Sequence, residues 1–358
     1  MRYRLLFAVA LAAAGARASN VSDQLSVNST QATATNPRSG NISDNLAATF
    51  DLSEKWSLNA GATLTAEGAT PAASAGQFGT SGSVLTMFSA GLDWDATDNW
   101  SFGLDLDVSP QSTQQVGADI SVLTATGQTI SGQALIQSQT SEFDGGLDVT
   151  YDTAGESDLE WLFNAGVSGT HLATDQLITR AHIGTLSFAQ LKALCASQPK
   201  RKVCEALGTA TAVTLDSEKF SLAATATAWR DTDLTLSGDA YHYEQDPKSV
   251  LYPSLAAAHL GMGMPIAPLK FLARAEVLHR FGDFSAKLWV QGGQYEAGTA
   301  DSTKAIGAKL QYKFTRTFKM WLSASGQSDL GAPDAATPNQ PGQVSKSSTI
   351  AMGAQYRF

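Results

Sequence analysis

Along most of the chain, large apolar residues alternate with small polar ones at a period of two, the signature of strands. Trp56, Leu58, Ala60, Ala62 and Leu64 alternate with Ser57, Asn59, Gly61 and Thr63. Trp100, Phe102, Leu104, Leu106 and Val108 alternate with Ser101, Gly103, Asp105 and Asp107. The same rhythm runs through Phe143 to Tyr151, Leu159 to Val167, Phe271 to Phe281, Ile306 to Phe314 and Ile350 to Phe358. These segments are about twice the five or six residues of an ordinary soluble strand. They match the roughly 9–11 residues that a tilted strand needs to cross a bilayer.

The connections support a barrel. Short ones (53–55, 96–99, 152–158, 230–232, 282–283, 315–316) alternate with long ones (67–83, 110–139, 171–217, 244–268, 328–346), and 296–302 is intermediate. Transmembrane barrels have short periplasmic turns and long extracellular loops. Trp56, Trp94, Trp100, Tyr151, Trp161, Phe281, Phe284, Phe314 and Phe318 all flank the short turns, where rings would form an interfacial girdle. Thirteen strands are predicted, near 45–52, 56–66, 84–95, 100–109, 140–151, 158–169, 219–229, 233–243, 269–281, 284–295, 303–314, 317–327 and 347–358. An even number is required, and Gln24 to Ala34 supplies the missing first strand. The expectation is an all-β, up-and-down antiparallel barrel of about fourteen strands, with twelve or sixteen as alternatives. Residues 119–137 would give sixteen as an added hairpin, or else form a strand pair rising above the membrane.

Composition narrows the class. Apolar residues make up 43% and charged residues 16%; a charged share this low departs from the ~25% of soluble domains. The net charge of −9 argues against a nucleic-acid partner. Residues 1–18 read as a signal peptide: Arg2 and Arg4 precede the apolar run Leu5 to Ala14, and Ala16-Arg17-Ala18 is a cleavage site. Residues 19–358 are then one barrel domain. Export exposes the two cysteines, Cys195 and Cys204, to an oxidising compartment, so a disulfide between them is expected.

The chain ends in Gly353-Ala354-Gln355-Tyr356-Arg357-Phe358. This resembles the terminal β-signal of Gram-negative outer-membrane β-barrel proteins, carried by Gly353, Tyr356 and Phe358. Ala351 departs from the polar residue preferred two places before the Gly. The resemblance implies insertion by the barrel-assembly machinery, and a setting of outer-membrane lipid and lipopolysaccharide. It identifies no particular porin or transporter family and leaves the oligomeric state open.

A barrel this wide needs something in its lumen, and inward Asn, Gln, Ser and Thr favour water. Expected inward charges separate along the chain: Asp51, Asp93, Asp105, Asp107, Asp144, Asp148 and Glu160 first, then Lys270, Arg274, Arg280, Lys287, Lys309, Lys313, Lys319 and Arg357, with Glu276 as the exception. Sequence order becomes order around the wall, so an acidic arc should oppose a basic arc, as at the constrictions of general porins. The lumen-lining residues singled out are Asp105, Asp107, Asp148, Arg274, Lys287 and Lys309. The expected work is passive diffusion of small polar or ionic solutes through that field.

Two loops qualify this reading. In 171–217, Leu186 to Ala196 reads as a short amphipathic helix followed by basic Lys200-Arg201-Lys202. The 249–268 loop is apolar; it would either plug the mouth or meet apolar solutes. Long-chain fatty-acid and aromatic-hydrocarbon channels also resemble fourteen-stranded barrels, so apolar uptake through 249–268 is the alternative. A closed structural or surface-interaction barrel is the third. The five histidines, His171, His182, His242, His259 and His279, form no recognisable catalytic or metal-ligating spacing. No enzyme, cofactor or metal is expected.

Overall fold

The computed structural model describes residues 20–32, 39–69, 78–79, 81–123, 129–153, 159–197, 207, 211–229, 231–247, 260–261, 268–296, 300–331 and 344–358. The expected signal peptide, the basic run 200–202, Cys204 and almost all of 249–268 lie outside them.

Fourteen long strands form the wall: β1 (Asn20–Ala32), β2 (Ser39–Asp51), β3 (Trp56–Glu67), β4 (Ser83–Asp95), β5 (Trp100–Leu123), β6 (Thr129–Asp152), β7 (Glu160–Ile183), β8 (Thr211–Trp229), β9 (Thr232–Tyr243), β11 (Leu269–Phe281), β12 (Phe284–Tyr295), β13 (Ala300–Lys313), β14 (Phe318–Gly331) and β15 (Val344–Arg357). A two-residue strand, β10 (Leu260–Gly261), and a ten-residue helix, α1 (Phe188–Ser197), are also present among the described residues. Each long strand pairs antiparallel with its sequence neighbours, and β1 pairs with β15, from Ser22↔Arg357 to Ala32↔Ser347. Beyond the ladder, the Phe358 N–H donates to the Val21 carbonyl at 2.9 Å. The sheet is therefore a closed barrel. Closure leaves no wall edge with unpaired backbone groups, which would each cost several kcal/mol in an apolar medium.

The two faces differ as the alternation requires. Outside, Leu147, Leu222, Leu236, Leu288, Ile306 and Ile350 are each well over half exposed. In water that belt would be untenable for a monomer. At the short-turn end, rings pack across neighbouring strands: Trp56 stacks on Trp94 and Trp94 on Phe102, both at 5.5 Å, while Trp100 meets Tyr151 at 4.7 Å and Phe314 meets Phe318 at 5.6 Å. Such pairs contribute about 0.5–1.5 kcal/mol each beyond area burial. Thr315 fixes one short turn, its hydroxyl accepting the Phe318 N–H at 2.9 Å.

Several boundaries need correction. β1 starts at Asn20 and β2 at Ser39, earlier than the alternation indicated. The larger difference lies in β5, β6 and β7, each 24 residues long, and β8, 19 residues long. Much of the expected 110–139 and 171–217 loops is strand. Within 119–137, the described residues 119–123 and 129–137 add no wall strands; they belong to the ends of β5 and β6, a ribbon continuing past the neighbouring strands. The expected helix occupies Phe188–Ser197 instead of 186–196.

The extension obscured itself by reversing its pattern. A bulge between Ser109 and Ser112 puts one extra residue on β5, and another displaces β7 between Ile178 and Arg180 opposite Leu135/Ile136. A bulge shifts which residues face inward. Past the β7 bulge, Ala181 and Ile183 are buried; Ala134 and Ile136 of β6, Ile178 of β7, and Val213 and Leu215 of β8 keep the inward phase of the wall and are buried too, as is Leu191 of α1. The Phe78 N–H donates to Gln133 at 2.7 Å, and its ring meets His182. β10 pairs with Ser121 and Val122 near the end of β5, so the β9–β11 connection reaches across to the far edge of the ribbon.

Candidate functional site

The inner wall carries the charges. In the closed order, β5 and β13 stand seven strands apart in either direction, so they are diametrically opposed. Acidic residues gather around the first and basic residues around the second.

Asp105, Asp107, Glu142, Asp144 and Asp148 line one cavity of about 790 Å³. Asp107 and Asp144 are direct partners across the β5–β6 ladder. Most of the neighbouring donors are neutral. Asn59 donates to Asp93 at 2.5 Å, Asn164 to Asp148 at 3.5 Å, and the Thr170 hydroxyl to Asp144. Lys219 and Tyr241 complete the lining from β8 and β9. Amides and hydroxyls thus supply most of the hydrogen bonds that these carboxylates accept.

The basic side is more internally compensated than its sequence suggests. Glu276 accepts from Arg274 at 2.8 Å and also from Lys287. Arg280 is held by Asp233 at 2.5 Å, and Lys270 lies 4.0 Å from Glu296. Arg274 also lies 4.6 Å above the Trp289 ring, and Lys309 lies 4.5 Å above Trp321. Both indoles lie on the inner face because glycines make room for them. A Cβ on Gly307 would collide with Trp289, and one on Gly353 would come within 2.6 Å of Trp321. At the short-turn end, Lys313, Arg316, Lys319 and Arg357 border a separate pocket of about 230 Å³.

Of the six residues singled out from sequence, Asp105, Asp107 and Asp148 therefore share one cavity. Arg274 and Lys287 share one carboxylate, and Lys309 rests on an indole. Glu142, Lys219, Tyr241, Asp233, Trp289 and Trp321 were missed. Parity would have found Glu142, which occupies an even position like Asp144 and Asp148. It would likewise have found Trp289 and Trp321, which alternate with outward Leu288 and Leu322. Tyr356 and Phe358 pack edge to face at 4.9 Å on the outer wall, while Gly353 backs Trp321.

The histidines are dispersed. His171 Nδ1 lies 2.5 Å from Asp216, and His279 Nδ1 lies 2.6 Å from the Thr232 hydroxyl. Among the described residues, no group of three or more His, Cys, Asp or Glu side chains is arranged to hold a metal ion.

No protein-family model matches the chain, and no curated protein sequence matches it. Solved structures do. A Pseudomonas aeruginosa FadL homologue superposes with a TM-score of 0.55 at 9% identity, covering 94% of this chain and 90% of that one. The Ralstonia pickettii toluene transporter TbuX gives 0.52 at 10% identity, covering 95% and 89%. At these identities the likeness shows the fold: the barrel is of the kind found in bacterial outer-membrane proteins.

Proposed function

We propose that the chain is an outer-membrane channel for passive diffusion of small polar or ionic solutes. One observation carries this reading: an inner wall whose acidic side, centred on β5, stands diametrically opposite its basic side, centred on β13. Like charges placed side by side are unfavourable, so a wall built only for stability would alternate the signs. Separated arcs instead set a transverse field, which acts on dipoles and ions in a wet pore. On this reading Asp105, Asp107 and Asp148 define one side of the lumen. Arg274, Lys287 and Lys309 define the other. The short-turn end is periplasmic, and the β5–β8 ribbon with α1 stands outside the cell.

The test is single-channel recording of the refolded chain in a planar bilayer. Steady ohmic conductance in the nanosiemens range supports the reading, together with an ion selectivity that shifts when Arg274 or Lys309 is reversed in charge. A folded, protease-resistant barrel without conductance overturns it.

A second reading is uptake of apolar solutes. It is favoured by the apolar inner face of the ribbon, where Ile136, Ile178 and Ile183 are buried. TbuX, which shares the fold, is a toluene transporter. This reading requires low conductance together with saturable uptake of a monoaromatic hydrocarbon into liposomes.

A further inference from the structure

We propose that Lys313, Arg316, Lys319 and Arg357 form a binding site for a small multivalent oxyanion at the periplasmic exit of the lumen. The proposal deepens the diffusion reading and rests on it only for how the anion arrives.

The four cations border one pocket of about 230 Å³ with Gln311, Thr315, Thr317 and Gln355. Every charged member is positive, and every polar neighbour can donate a hydrogen bond. Elsewhere on the basic arc, several cations have carboxylate partners: Glu276 serves Arg274 and Lys287, Asp233 serves Arg280, and Glu296 lies near Lys270, while Lys309 rests on the Trp321 ring. Among the described residues, no ion pair reaches any of these four. The charged neighbours of Lys319 are Arg357 and Lys313, both of like sign. Register brings them together. Lys313 faces Lys319 directly across β13–β14, and Gln355 faces Lys319 across β14–β15. Like charges paired directly opposite weaken a ladder, and an oxyanion between them removes that cost through charge-assisted hydrogen bonds.

Alternation also selects the source of the anion. Lys313, Lys319 and Arg357 alternate with Tyr312, Phe314, Met320, Tyr356 and Phe358, which are largely exposed on the outer wall. Lys313, Lys319 and Arg357 therefore face the lumen, with Arg316 joining them from the turn, and the aromatic girdle separates these strand cations from lipid headgroups. The ligand is a free solute of the phosphate class.

Isothermal titration of the refolded full chain with inorganic pyrophosphate, in neutral detergent at low ionic strength, tests the site. Saturable binding is expected. Lys319→Gln and Arg357→Gln should each weaken it about tenfold, the cost of a charged hydrogen bond. Lys346→Gln, which removes the same charge from the other end of β15, should leave it unchanged. If one of the two variants fails to refold, the other carries the comparison. Absent binding, or equal loss in Lys346→Gln, overturns the proposal. Repeating the titration in phosphatidylglycerol and phosphatidylcholine nanodiscs separates the sources: equal affinity supports a lumenal solute, whereas competition by phosphatidylglycerol overturns that assignment. Binding without conductance sinks the diffusion reading alone. Conductance without binding sinks only this site.

Discussion

Lys287 and Lys309 are direct partners across the β12–β13 ladder, and Glu276 binds the first while the Trp321 ring lies beneath the second. Two ammonium groups thus face each other on the inner wall with one carboxylate held beside them. Lys309 is the less compensated member. Lys309→Glu should form an ion pair with Lys287 and remove a net two charges from the basic arc. The reversal potential in a salt gradient should move toward cation preference. Lys309→Gln should produce about half that shift. An unchanged potential in both would show that Lys309 lies off the ion path.

Asp107 and Asp144 repeat the arrangement with opposite sign across β5–β6. Asp107→Asn relieves a like-charge pair, which should raise stability by about 0.2–1 kcal/mol. The same variant should weaken cation preference. Urea unfolding followed by the mobility of the folded band would read the first effect, and bilayer recording the second. A destabilised variant with unchanged selectivity would mean that this carboxylate is structural.

What the sequence revealed and what it hid can be told from individual strands. β11 and β12 match their predicted bounds because Phe271 to Phe281 and Phe284 to Tyr295 keep one phase from end to end. The β5–β8 ribbon did not, because the inner face changes character without changing phase on β6 and most of β7: apolar Ile136 and Ile178 fall on the face that carried Asp144 and Thr170 lower down. Charge signs were legible, but pairing was not. Nothing local to Glu276 says that two cations would share it, since Lys287 arrives from the next strand. Two indoles were passed over. A girdle explains Trp56 and Trp94, whereas Trp289 and Trp321 stand in the opposite phase.

Gly353 makes a closer approach than any side chain allows. A Cβ there would lie 2.6 Å from the Trp321 ring and 2.7 Å from the Leu25 carbonyl. Gly353→Ala should therefore cost about 1–3 kcal/mol through overpacking and shift Trp321 emission. The effect would appear in vitro, with no assembly factor present. A variant that refolds normally into micelles but fails in cells would assign Gly353 to recognition by the assembly machinery instead.

Cys195 sits on α1, whose Leu191 is buried. A bond to Cys204 would close a loop of about ten residues, worth roughly 2–4 kcal/mol locally. A non-reducing digest should yield the two peptides linked. Cys204→Ser should speed trypsin cleavage after Lys200 to Lys202 without changing the heat resistance of the barrel. Unlinked peptides from oxidised, exported protein would refute the pairing.

The ribbon above the barrel should behave as its own cooperative unit, because its buried apolar residues lie past the wall. Ala134, Ile136, Ile178, Ala181, Ile183, Val213 and Leu215 are buried there, with Ile136 facing Ile178 and Ala134 facing Ala181 across β6–β7, whereas the wall below is held by ladder bonds and its outer apolar belt. Ile178→Ala removes a buried branched side chain, a loss of about 2–5 kcal/mol where the cavity cannot collapse. That exceeds what a small satellite core can absorb, so the ribbon should open locally while the barrel stays closed. Hydrogen exchange should show lost protection across 132–140 and 174–183, with β1 and β15 unchanged. Conductance should be retained, and the folded band should migrate as before. Protection lost equally at the β1–β15 seam would show that ribbon and wall unfold as one.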